Sequence, residues 1–155
     1  MSEGVGVGDK AADFELPDET GTPRRLSELL ADGPVALFFY PGALTKGCTA
    51  EACHFRDLAA EFAAVGARAV GVSGDPVERQ QEFAGRHTLG MPLLSDTDGT
   101  VRELFGVKRG FSMAPTKRVT FVIAEDRTVL EVVRSELRMT THADRALAAL
   151  RAHRE

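Results

Sequence analysis

The stretch LFFYPGALTKGCTAEAC, Leu37 to Cys53, decides how this chain is read. An apolar run ends at Pro41, a short loop with two glycines follows, and a helix-like segment begins near Cys48. The core of the stretch, G-A-L-T-K-G-C-T from Gly42 to Thr49, is close to a phosphate-binding loop, G-x-x-x-x-G-K-[ST]. Cys48 stands where that loop needs its lysine, and Lys46 precedes the second glycine instead of following it. A lysine so placed points away from the phosphates. Two strands, ARAVGVSGD and RVTFVIAED, end in the acidic residues that a magnesium-dependent site would use, so a nucleotide site stays open at this point.

Around that stretch, buried strands alternate with helices. VALFFY (35–40) and ARAVGVSG (67–74) are continuous apolar runs of the kind buried on both faces of a sheet. CTAEACHFRDLAAEFAAVG (48–66) reads as one helix with Gly66 as its C-cap. Asp75, Pro76 and Glu78 have the pattern of a helix start, with Asp75 as the N-cap. MPLLSD is a short strand. RVTFVI (118–123) and TVLEVV (128–133) form a hairpin across the turn AEDR, and a final helix opens near Thr141. ADFELPDETGTPRR adds two short strands and a turn at the N-terminal end. The order predicts an α/β thioredoxin-like fold, with a central, mainly parallel sheet, helices on both faces and an N-terminal β extension. Its 155 residues are expected to form one domain spanning 1–155.

Composition narrows the function classes. Hydrophobic residues make up 43%, charged residues 27%, and the net charge is -4 with both signs interleaved, which argues against a nucleic-acid surface. The apolar runs are too short to span a bilayer, and MSEGVGVGDK lacks the basic-then-apolar order of a secretory signal. A cytoplasmic location is expected. There, two cysteines five residues apart are poor candidates for a permanent staple. Their spacing is not C-x-x-C, and Cys48, Cys53 and His54 do not converge as metal ligands.

Cys48 lies at the start of a helix that follows a buried strand. Unpaired N–H groups and the positive end of the helix dipole favour the thiolate, the nucleophilic form, at such a place. Gly47 allows close backbone approach, Thr45 puts a hydroxyl within reach, and Pro41 stiffens the loop. Sites of open α/β sheets lie at the carboxyl ends of parallel strands. The plainer alternative is that Cys48 is a small buried hydrophobe. Cys53, roughly 140° further around the helix, faces nearer to solvent. His54, His87, His142 and His153 read as polar-face or terminal histidines. Phe111 and Met113 could line a mouth or simply pack a loop.

Pro41, Thr45 and Cys48 stand as P-x-x-x-T-x-x-C, which resembles the peroxiredoxin active-site motif. CTAEACHFRD, GDKAADFELPDETG, PLLSDTDGTV and RVTFVI resemble, in order, the peroxiredoxin Q or bacterioferritin comigratory protein subfamily over almost the whole chain. The resemblance implies reduction of hydrogen peroxide and organic hydroperoxides with no cofactor and no metal, recycled by thioredoxin or a similar dithiol protein, in a monomer. It implies Cys48 as the peroxidatic cysteine, Cys53 as the resolving cysteine, Thr45 and Arg118 as hydrogen-bonding groups at the thiolate and peroxide, Pro41 as a shield, and Glu51 as a residue near the site. One departure is Lys46, where the family usually has proline before Gly47. A second function class stays open: a peroxide-sensing switch on the same fold with little turnover. Cα atoms five apart on a straight helix lie ~8–9 Å from each other. A disulfide needs roughly 4.4–6.8 Å, so a Cys48–Cys53 bond requires the helix to unwind.

Overall fold

The computed structural model describes residues 5–108 and 116–154. A small antiparallel pair, β1 (Glu15–Pro17) and β2 (Pro23–Arg25), precedes the main sheet. The short helix α1 (Leu26–Leu29) leads through a tight turn into β3 (Val35–Phe39). Then follow α2 (Lys46–Asp57), α3 (Ala59–Ala64), β4 (Arg68–Ser73), α4 (Val77–His87), β5 (Leu93–Ser95), α5 (Thr100–Leu104), β6 (Val119–Ile123), β7 (Val129–Arg134) and α6 (Met139–Arg154). The strand order of the main sheet is β5-β4-β3-β6-β7.

The sheet is mixed. β3 pairs with β4, and β4 with β5, in parallel, whereas β6 runs antiparallel to both β3 and β7. Sequence alternation points to a mainly parallel sheet, and it governs only the first half. The β6–β7 hairpin docks by its first strand against β3, which makes the other half antiparallel. The consequence is functional: Phe39 at the end of β3 lies opposite Val119 at the start of β6.

All five residues of β3 are buried, as a central strand requires. Alternation splits them between two cores. Val35, Leu37 and Phe39 face Leu26, Leu29, Val72, Phe105 and Phe121. Ala36, Phe38 and, just past the strand, Tyr40 face Ala52, Phe55, Phe83, Leu147 and Leu150 from α2, α4 and α6. Phe38 and Phe55 stack with ring centroids 4.3 Å apart, which seats α2 on the sheet. Two turns entering β3 and β4 press together so closely that a Cβ on Gly33 would sit 1.9 Å from the Gly66 carbonyl oxygen. Gly33 also has φ 138°, so glycine is required there.

Two elements differ from the sequence reading. The expected helix over 48–66 is broken at Leu58 (φ -98°, ψ 11°) into α2 and α3, and Ala59 turns outward to solvent. Neither proline nor glycine marks that point. Asp75 is not the N-cap of α4; Pro76 occupies that position, and Asp75 reaches the loop before α2 instead. Phe111 and Met113 lie outside the described residues. Among the described residues no helix is long and apolar enough to cross a membrane.

The Phe38–Phe55 stack predicts the effect of truncation. Phe55→Ala lowers the unfolding free energy by about 3–5 kcal/mol, the usual cost of emptying an aromatic core site. Urea denaturation read by circular dichroism checks this, and a loss below about 1 kcal/mol, the level of an ordinary surface change, contradicts it.

Candidate active site

β3 delivers the chain to Tyr40, and the loop 41–45 then turns it into α2. Leu44 adopts φ 67°, a left-handed conformation uncommon for a side chain of its size. Two contacts fix the loop in this shape. The Thr45 hydroxyl donates to the Gly42 carbonyl at 2.7 Å, and the Ala43 N–H donates to Asp75 Oδ2 at 2.7 Å. The same oxygen accepts from the Ser73 hydroxyl at 2.7 Å, so the end of β4 holds the loop that follows β3.

Thr45 has extended backbone angles and is the N-cap residue of α2, but its side chain makes no capping bond. The N–H groups of the first turn have no acceptor within the helix. Cys48 is the third residue of that turn and only 1% exposed. Its Sγ therefore sits at the first turn, at the positive end of the helix dipole.

Arg118, the residue just before β6, closes the site. Its Nη2 donates to Cys48 Sγ at 3.4 Å and its Nη1 to Glu51 Oε1 at 2.6 Å. An arginine at the start of a strand is usually exposed, yet Arg118 is only 7% exposed, while neighbouring Lys117 faces solvent. Burial works against the charge of the guanidinium, but Glu51 and Cys48 beside it outweigh that and hold it above its ordinary value. Gly47 gives the fork its room. A Cβ there would lie 3.3 Å from Arg118 Nη2 and 3.5 Å from Met139 Sδ.

Glu51, one turn beyond Cys48, is fully buried. Burial pushes its carboxyl up to about 8 against the downward pull of Arg118, and Glu136 adds to the rise. Arg118 also donates its backbone N–H to Glu136 Oε2 at 3.2 Å. Behind Glu51 lies His142 of α6, whose Nδ1 is 3.6 Å from Glu51 Oε2. His142 is fully buried, contrary to its reading as a polar-face residue. The stripe His142, Ala143, Ala146, Leu147 and Leu150 has helical spacing, and it signals a buried face that includes the histidine.

The structure thus brings Cys48, Arg118, Glu51 and Gly47 together. Thr45 is exposed at the loop, with its hydroxyl engaged to Gly42. Pro41 is half-buried in the turn after β3. Cys53 is half-buried on the same helix as Cys48, packed against the edge of the core, and both thiols are free. Lys46, which a phosphate loop would need inside, is exposed. Among the described residues, no group of three or more His, Cys, Asp or Glu side chains could hold a metal ion.

Comparison with known proteins agrees with this geometry. Residues 7–132 match the model of the AhpC/TSA family. A peroxiredoxin of Mycobacterium tuberculosis strain H37Rv is 64% identical over 150 residues, covering 96% of this chain and 97% of that protein. The crystal structure of peroxidoxin BcpB from Mycobacterium tuberculosis superposes with a TM-score of 0.93 at 62% identity, over 97% of this chain and 99% of that one. A bacterioferritin comigratory protein of Xanthomonas campestris, solved for insight into its alkyl peroxide reduction, superposes with a TM-score of 0.87 at 30% identity, over 97% and 100%. With its thioredoxin-like sheet and a buried cysteine facing an arginine at a helix start, the chain belongs to the AhpC/TSA family, as a peroxiredoxin of the peroxiredoxin Q and bacterioferritin comigratory protein type.

Proposed function

We propose that this chain is a thiol peroxidase in which Cys48 attacks hydrogen peroxide and organic hydroperoxides. The observation that carries the reading is the contact of Arg118 Nη2 with Cys48 Sγ at 3.4 Å, at the uncapped start of α2. The thiolate sulfur attacks one peroxide oxygen in line with the O–O bond. That bond breaks, a proton joins the departing oxygen, and water or an alcohol leaves as Cys48 becomes a sulfenic acid. Charge grows on the departing oxygen during the step. Arg118 and the N–H groups of the first turn are the donors that meet it, the Thr45 hydroxyl joins them only on leaving the Gly42 carbonyl, and such preorganised donors are often the largest catalytic contribution. Gly47 leaves them room, and Pro41 covers the loop side.

Cys53 then serves as the resolving thiol. Its sulfur attacks Cys48 Sγ, the sulfenic oxygen leaves as water, and an intramolecular disulfide forms. A dithiol protein of the thioredoxin type returns both thiols by exchange. The chemistry needs sulfur and a proton donor, so the reading includes no cofactor. It takes the chain as a cytoplasmic monomer.

Mass and thiol count after one equivalent of hydrogen peroxide test this directly. The expected product has lost two hydrogens and both free thiols without dimerising. Gain of one oxygen with one thiol lost means that an outside thiol resolves Cys48, and no rapid change removes the peroxidase reading. Continuous peroxide consumption with a thioredoxin system is also expected, whereas a sensing switch reacts once and stops.

Two further outcomes follow. Arg118→Ala slows the reaction of Cys48 with peroxide by about 10²–10³-fold, the range for removing a preorganised donor; stopped-flow kinetics on reduced protein measures it, and an unchanged rate excludes the role. Because α2 is continuous from Lys46 to Asp57, its two thiols cannot bond while it is intact. The disulfide form should therefore lose helical circular dichroism and amide protection in the first turns of α2. Retention of both in a proven Cys48–Cys53 disulfide rules out the unwinding.

A further inference from the structure

Pro76, not Asp75, occupies the N-cap of α4, so the Asp75 carboxylate is free for another task. β3 and β4 run parallel, and the segments that leave their carboxyl ends lie side by side. Asp75 follows closely on Ser73, the last residue of β4, and its Oδ2 accepts the Ala43 N–H at 2.7 Å. Ala43 is buried in the middle of the loop before α2, next to Leu44 with its φ of 67°. A left-handed leucine persists only where its surroundings hold it. The bond from Thr45 to the Gly42 carbonyl holds the loop from within, and Asp75 holds it from the end of another strand.

The carboxylate is itself held, by a row of side chains whose hydrogen bonds all have one direction. The Leu94 carbonyl can only accept, so the Gln80 atom 2.8 Å from it is the amide nitrogen. Gln80 Oε1 then faces Tyr40 and accepts the hydrogen of its hydroxyl at 2.5 Å. Gln80 Nε2 also donates to Ser73 Oγ at 3.0 Å, and the Asp75 N–H donates to the same oxygen at 3.2 Å. With two donors on its oxygen, the Ser73 hydroxyl turns its own hydrogen to Asp75 Oδ2 at 2.7 Å. Tyr40, Ser73 and Gln80 are fully buried, and each of their polar side-chain atoms is hydrogen-bonded. A satisfied buried network of this kind specifies one arrangement. It starts at Tyr40, the residue that leads into the loop, and ends on the oxygen that grips the middle of the loop.

We propose that Asp75 is a positioning residue for the reaction of Cys48 with peroxide: its Oδ2, oriented through Ser73, Gln80 and Tyr40, sets the shape of the loop 41–45 and so the place of the first turn of α2, on which the thiol stands. The inference rests on the peroxidase reading of the site. Thr45 is where the loop passes into α2, and its carbonyl accepts the Thr49 N–H at 2.9 Å, which closes the first turn around Cys48. A displaced Ala43 therefore displaces that turn. The role calls for an acceptor oxygen and not for a charge. Oδ1 contributes a 3.6 Å contact to Arg79, whose side chain is half exposed, and such a pair is worth little. An amide oxygen has two lone pairs and can take both of the bonds that Oδ2 accepts.

Stopped-flow kinetics on the reduced protein tests this. Asp75→Ala slows the reaction with hydrogen peroxide by about 10²-fold, the cost of an ångström-scale misplacement of reacting groups. Asp75→Asn stays within about fivefold of the unsubstituted chain, the most that an exposed ion pair is worth. Alkylation of Cys48 by iodoacetamide, read by mass on the Cys48 peptide, needs the thiolate but not the peroxide geometry, so neither variant slows it. A merely structural Asp75 lowers the melting temperature and leaves the peroxide rate of the folded variant unchanged, or slows peroxide and iodoacetamide alike. Either result overturns the inference, as does an equal loss in Asp75→Asn and Asp75→Ala. Amide exchange on the unsubstituted reduced chain serves if Asp75→Ala does not fold: the Ala43 N–H should be protected, and exchange at the rate of an open loop overturns the inference. If the unsubstituted chain does not react with peroxide, the peroxidase reading fails and this inference falls with it. If it reacts no faster than Asp75→Ala, the inference alone fails.

Discussion

One guanidinium divided between a sulfur and a carboxyl organises this molecule. Arg118 holds Cys48 with one nitrogen and Glu51 with another, and both bonds run to the same face of the first turns of α2. Arginine can do this because its fork is planar and permanently charged. Lysine, a single point charge, could not hold both partners in fixed directions. The cost of burying that charge is met by the anionic character gathered around it. Gly47 is small because the fork needs its space, and α6 approaches through Met139 on the same side.

The fork depends on topology. Arg118 and Cys48 are distant in sequence and meet only because β6 runs antiparallel beside β3. Its first residue lies next to the last residue of β3, so whatever precedes β6 arrives where the loop after β3 begins. The all-buried β3 fixes that location between two apolar layers, and the Phe38–Phe55 stack sets α2 above it. Asp75 completes the frame by tying the loop after β3 to the end of β4. The chemistry of the loop is thus held from two strands and a helix.

Much of this was legible in the residues alone, for physical reasons. Continuous apolar runs mark β3 and β4, alternation with helices marks the layered architecture, and the P-x-x-x-T-x-x-C spacing singles out Cys48 through its resemblance to the peroxiredoxin motif. What composition and spacing alone do not carry lies in long-range contacts. Arg118, which only the family resemblance names, otherwise looks like any arginine at a strand edge until β6 is placed beside β3. His142 was hidden by its polarity, although the apolar spacing from Ala143 to Leu150 puts it on the inner face. Asp75 carries every mark of a helix cap, yet its carboxylate binds a backbone N–H in another loop. The break at Leu58 leaves no local trace, since nothing at 56–59 is a helix breaker.

That break has a bearing on how far a disturbance at Cys48 travels. Helices melt cooperatively along their length, and an uninterrupted span to Val65 would tie the turns around Cys48 to the packing beneath β4. Leu58 interrupts the regular dihedral pattern after twelve residues. Phe55 on one side and Phe62 on the other enter the same core from different segments, with ring centroids 5.8 Å apart. The first segment can act as its own foldon, opening and closing at an energy below that of global unfolding while the second stays protected from exchange.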